Sequence, residues 1–138
     1  MANQMTEMLK GTLEGIVLAI LAERAAYGYE ITVGLRDRGF ADIAEGTVYA
    51  LLVRIEQRGL VDVEKVPSEK GPPRKVYSLN AAGRDQLDEF CATWAFLTWR
   101  IEHLRAAHAD RTGSTSTGST RTDSGTTHRT TDRTDGDD

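Results

Sequence analysis

The segment Lys70–Lys75, KGPPRK, holds three cations and no acid. Cations gathered without a counter-charge attract anions over a Debye length of about 8–10 Å, whatever the net charge of the chain. Two prolines stiffen the segment, which suits contact with a regular polyanion such as a phosphodiester backbone. A second polar set precedes it. Glu45, Thr47, Tyr49, Ala50, Arg54 and Gln57 share one face of a helical pattern. Carboxylate, hydroxyl, guanidinium and amide groups in that order suit the donor and acceptor pattern of base edges, with some phosphate contact.

Other chemistries lack their residues. There is no nucleophile elbow, no phosphate-binding glycine loop and no His paired with a carboxylate at useful spacing, so an enzyme is not expected. His103, His108 and His128 do not form a metal set with Cys91, because their spacings put no group of them on one helical face. No metal and no cofactor is expected. Cys91 is expected to be a small buried hydrophobe.

These polar sets need a scaffold. Leu9, Leu13, Ile16, Val17, Ile20 and Leu21 recur at helical spacing and predict a first helix from about Leu9 to Glu23. A short second helix follows from about Tyr29 to Arg38, with Ile31 and Leu35 inward and Gly39 as its left-handed stop. A third helix is predicted from about Glu45 to Arg58, with Val48, Leu51, Leu52 and Ile55 inward. Leu60–Val66 alternates with period two, and Lys75–Leu79 returns after a turn, so the pair forms a hairpin. Asn80 is a good N-cap for a fourth helix. Gly83, in its first turn, is expected to cost a little. Leu87, Phe90, Trp94, Leu97, Ile101 and Leu104 then fall at steps of three and four, the spacing of a coiled-coil seam. That seam is expected to pair with a second copy. Phe96 and Trp99 lie off it. Tyr27 and Tyr29 fit core and surface positions.

The expected fold is mainly α with a small β-hairpin wing: a winged helix-turn-helix over residues 1–79 and a dimerisation helix over 80–110. From Arg111 the chain is mostly Thr, Ser, Gly, Asp and Arg without an aliphatic or aromatic residue, so 111–138 is expected to be disordered. Residues 1–110 carry 13 basic against 16 acidic residues, a net of −3, which argues against a sequence-blind DNA coat. One cysteine excludes an intramolecular disulfide. With no long apolar run and no export-type start in MANQMTEM, a cytoplasmic chain without a membrane partner is expected.

In order and spacing the chain resembles the PadR family of transcriptional regulators, in its short subfamily. The resemblance runs through LKGTLEGIVLAIL at Leu9–Leu21, YGYEI at Tyr27–Ile31, EGTVYALL at Glu45–Leu52, RIEQRGLV at Arg54–Val61 and GPPRKVYSLNAAGR at Gly71–Arg84. It implies a homodimer, usually a repressor, that binds double-stranded DNA and releases it when a small, often aromatic, effector binds. By position, Glu45, Gly46, Thr47 and Tyr49 open the recognition helix and Arg54 follows a turn later. Gly71, Arg74 and Lys75 form the wing tip. The fourth helix swaps contacts with the partner, and Trp94 with its symmetry mate would border a cleft for planar aromatics. The chain departs from the family at Ala44, where many members place a capping Ser, at Ala50, where a Pro is frequent after the Tyr, and at Val53, where many carry a basic residue. A competing expectation is a winged-helix protein-interaction module without specific DNA binding, supported by Val53 and the net acidity.

Overall fold

The computed structural model describes residues 2–116, and side chains from 4 to 111. Helix α1 spans Ala2–Glu23, strand β1 Ala26–Tyr27, helix α2 Gly28–Asp37, helix α3 Glu45–Gln57, strands β2 Val61–Val66 and β3 Arg74–Leu79, and helix α4 Ala81–Ser116. This is the expected winged helix-turn-helix with a long C-terminal helix. The disordered-tail expectation for 117–138 lies outside the described residues. Residues 111–116 continue α4.

The helix boundaries differ from expectation at α1. It starts at Ala2 and not near Leu9, because Gln4, Met5, Glu7 and Met8 are good helix formers even though their side chains are exposed. An ion pair one turn apart, Glu7 to Lys10 at 2.9 Å, adds a little. Leu18, outside the expected stripe, is fully buried beside Val17. The cause is position: α1 packs on both α2 and β3, so it buries more than one narrow stripe.

Strand β1 was not visible in the sequence, since two residues carry no period. It pairs antiparallel with β3 through Ala26–Tyr77 and Tyr27–Val76, on the edge opposite β2. The hairpin register runs from Val61–Leu79 to Val66–Arg74. The core joins Val17, Leu18, Ile31, Leu35, Val48, Leu52 and Ile55, all essentially inaccessible to solvent. Fully burying one such side chain contributes about 1.5–3 kcal/mol.

Local signals set the ends of the elements. Glu30 accepts a hydrogen bond from the Tyr27 backbone N–H at 2.9 Å and so fixes the start of α2. Gly39, at φ +100°, ends that helix in the left-handed region. Ala44 occupies the N-cap of α3 with extended backbone and no side-chain cap. At α4, the Asn80 side-chain oxygen accepts from the Gly83 N–H at 2.9 Å, and its amide donates to the Gly59 carbonyl at 3.0 Å.

Gly83 differs from expectation. A methyl group there would collide with the Leu60 carbonyl oxygen and come within 2.5 Å of Leu79 Cδ1. The glycine is what lets α4 sit on the end of β2, so its propensity cost is offset by close packing. The described residues fall into two compact units, divided inside α4 between Thr98 and Trp99. The first turns of α4 belong with the winged unit, where Leu87 packs against the core and Phe90 covers Gly15 of α1.

Candidate nucleic-acid interface

Glu45, Gly46, Thr47, Tyr49 and Arg54 are all exposed on α3, because the core takes only Val48, Leu51, Leu52 and Ile55 from that helix. They do not form one cluster. Tyr49 turns toward the wing. Its ring rests on Gly28, where an added Cβ would stand 2.7 Å from Tyr49 Cε1. The middle glycine of YGY is thereby explained: it makes room for the recognition-helix tyrosine. Partial burial, and then the Glu45 carboxylate beside it, push the Tyr49 hydroxyl above its usual pKa. Near neutral pH that hydroxyl therefore stays a donor. Thr47 faces the other side of the helix, toward Leu9 and Ile43. Arg54 lies beside α1, 3.8 Å from Glu14, and not beside the acids nearest it in sequence.

The wing supplies the cations. Gly71 takes φ +112° at the tip, which a side chain would strain. Arg74 begins β3 with its guanidinium 6.0 Å from the centre of the Tyr27 ring, a cation–π distance. Lys75 stands directly across the hairpin from Lys65 and 3.7 Å from Glu56 of α3. Lys65 adds a cation that the sequence pattern did not single out; the cross-strand register reveals it.

Between α2, α3 and β3 runs an open groove of about 900 Å³. All four tyrosines of the chain, Tyr27, Tyr29, Tyr49 and Tyr77, line it together with Arg74 and Lys75. Tyr27, Tyr29 and Tyr77 were not among the expected site residues. Pairing of β1 with β3 brings the first two to the wing root, and that pairing leaves no mark in local sequence. Burial, then the charge of Glu56, raises the Tyr77 hydroxyl pKa, so it too stays protonated. Phenolic donors, aromatic faces and two cations along one channel suit a phosphate-sugar strand.

On α4, Trp94, Leu97, Ile101 and Leu104 are exposed, at 44%, 46%, 46% and 72%, as are Phe96 and Trp99. Leu87 and Phe90 are half-buried within their own winged unit, so these two seam residues already have intrachain partners. Trp94 stacks on Phe90 with ring centroids 6.4 Å apart. Cys91 is exposed, contrary to expectation: it lies one turn beyond Leu87, the residue of α4 that packs against the core. His103 packs on the Trp99 ring one turn away. No described helix is long and apolar enough to cross a membrane.

Comparison with known proteins gives a consistent result. A family model described as the transcriptional regulator PadR-like family matches residues 17–89. A crystal structure of a PadR-like transcriptional regulator from Bacillus cereus is 37% identical, covers 71% of this chain and 95% of its own, and superposes with a TM-score of 0.63. A PadR family regulator from Eggerthella lenta is 34% identical over 75% of this chain and 89% of its own, with a TM-score of 0.68. An uncharacterized protein of Lysinibacillus sphaericus is 29% identical over 92 residues, 65% of this chain and 84% of its own length. The matched region contains α2, α3, both wing strands and the start of α4, and by it this chain belongs to the PadR-like family of transcriptional regulators.

Proposed function

We propose that the chain is a repressor that binds a pseudo-palindromic operator as a homodimer and leaves it when a small aromatic effector binds. The observation that carries this reading is the tyrosine-lined groove with Arg74 and Lys75 beside the exposed face of α3. Helix α3 enters the major groove. Glu45, Thr47 and Tyr49 meet base edges or the adjoining backbone, while Gly71, Arg74 and Lys75 of the wing lie against the flanking strand. Two such units related by a two-fold axis read half-sites about one helical turn apart, roughly 34 Å.

Pairing runs through α4. An exposed row that includes Trp94, Leu97, Ile101 and Leu104 is more apolar surface than a helix usually leaves to water, which supports its burial against a second copy. Leu87 and Phe90 anchor that helix to the winged unit, so a change in how the two copies of α4 pack shifts the reading helices. Trp94 is the effector contact. An effector that favours one packing of the helices biases the equilibrium between DNA-competent and DNA-incompetent states.

Gel shift of the DNA upstream of the chain's own coding region, in excess heterologous competitor, tests the DNA reading. A band that persists supports it, and a band lost in step with the competitor points to the protein-interaction alternative. For the effector, titration with planar dyes followed by Trp fluorescence should show weaker binding in Trp94→Ala. Equal affinity and equal quenching in both proteins would remove Trp94 from the site.

A further inference from the structure

Arg54 of α3, Arg58 at its C-terminal end and Lys75 of β3 are each already paired with a carboxylate of the same chain. Glu14 of α1, with its side chain 19% exposed, lies 2.6 Å from Arg58 and 3.8 Å from Arg54. Glu56 of α3 lies 3.7 Å from Lys75 of β3. These pairs are of two kinds. Arg58 donates to both Glu14 oxygens in a short contact that fastens α3 to α1. The Arg54 and Lys75 pairs are longer, and those two side chains are 60% and 43% exposed. Water screens such pairs, and each is worth only a small free energy. They are held loosely enough for another anion to replace the carboxylate. Arg74, by contrast, has an aromatic neighbour and, among the described residues, no carboxylate at ion-pair distance.

We propose that Glu14 and Glu56 are intramolecular phosphate competitors: they occupy Arg54 and Lys75 in the free protein, and a DNA backbone must displace them. The inference rests on the DNA-binding reading above and says how that surface is tuned. Sequence-blind binding consists almost wholly of cation–phosphate contacts. Each contact made by a tethered cation first gives up an ion pair and leaves a carboxylate facing a polyanion. With Arg54 and Lys75 so engaged, sequence-blind binding is weakened several-fold, and base-edge contacts carry a larger share of operator binding. The same arrangement fits the net −3 of residues 1–110, which would otherwise sit oddly on a DNA-binding chain.

The test is fluorescence anisotropy of the full chain with a labelled random-sequence duplex across a salt series. Glu56→Gln should tighten binding roughly threefold at low salt, and Glu14→Gln roughly fivefold, the fold-changes that loss of weak ion pairs yields. Glu102→Gln removes the same charge from a pair with Arg105 on α4 and frees no cation of the interface, so it should bind as wild type does. The decisive arm is the Glu56→Gln gain in a Lys75→Ala background, where it should vanish. Because Glu14 also fastens Arg58, a thermal melt accompanies its variant, and the Glu56–Lys75 cycle decides alone if that melt shifts. If wild type binds the random duplex and Glu56→Gln binds equally well, or keeps its gain without Lys75, the inference is overturned while the DNA reading stands. A wild type that binds no duplex at low ionic strength overturns both.

Discussion

Arg74 is the residue on which the wing assignment turns. It stands at the mouth of the groove, over the Tyr27 ring and beside Lys75. Arg74→Ala should weaken binding to all sequences alike, roughly tenfold for each wing engaged and so about a hundredfold for a dimer on one duplex, as loss of charge-assisted hydrogen bonds does. It should also lower the slope of log affinity against log salt by about 1 for each wing engaged, hence by about 2 for a dimer on one duplex. Anisotropy against operator and random duplexes over a salt series measures both, and a variant indistinguishable from wild type at every salt would remove the wing from the interface. At this scale the residue types were legible and their partners were not. The sequence places three cations at Lys70–Lys75, but the fold alone sets Glu56 beside Lys75, Glu14 beside Arg54 and Tyr27 beneath Arg74. Each of those pairs joins residues that only the tertiary fold brings together.

At the scale of elements, two helix starts give opposite expectations for small changes. Ala44 caps α3 with no side-chain acceptor, leaving first-turn N–H groups without one. Ala44→Ser should stabilise the chain by about 1 kcal/mol in chemical denaturation, and no gain would mean that water already serves those groups as well. Gly83 is the reverse case. In an open helix Gly→Ala gains up to about 1 kcal/mol. Here the methyl group would meet the Leu60 carbonyl, so Gly83→Ala should destabilise by about 2 kcal/mol, in the range of an overpacked contact. Stabilisation by alanine would show that α4 shifts freely on β2. The helices and the hairpin were legible because their apolar periods are long enough to count. Strand β1 was not, since Ala26 and Tyr27 are defined wholly by pairing with β3. The role of Gly83 was invisible for the same reason, as only the close approach of another backbone gives it one.

For the whole molecule, the claim that matters most is that two chains join through α4 and present two reading helices to one duplex. The heptad spacing from Leu87 to Leu104 was plain in the sequence. What it could not tell was that Leu87 and Phe90 also fasten α4 to their own winged unit, while Trp94, Leu97, Ile101 and Leu104 are left exposed. A seam anchored at one end and open along the rest is how packing between subunits would be linked to the angle of the reading heads. Sedimentation velocity of the full chain, alone at micromolar concentration and then with a duplex from its own promoter at low ionic strength, tests this most directly. Two chains per particle, and two chains per duplex, are the expected result. A single chain that sediments apart from the duplex under those conditions would contradict it.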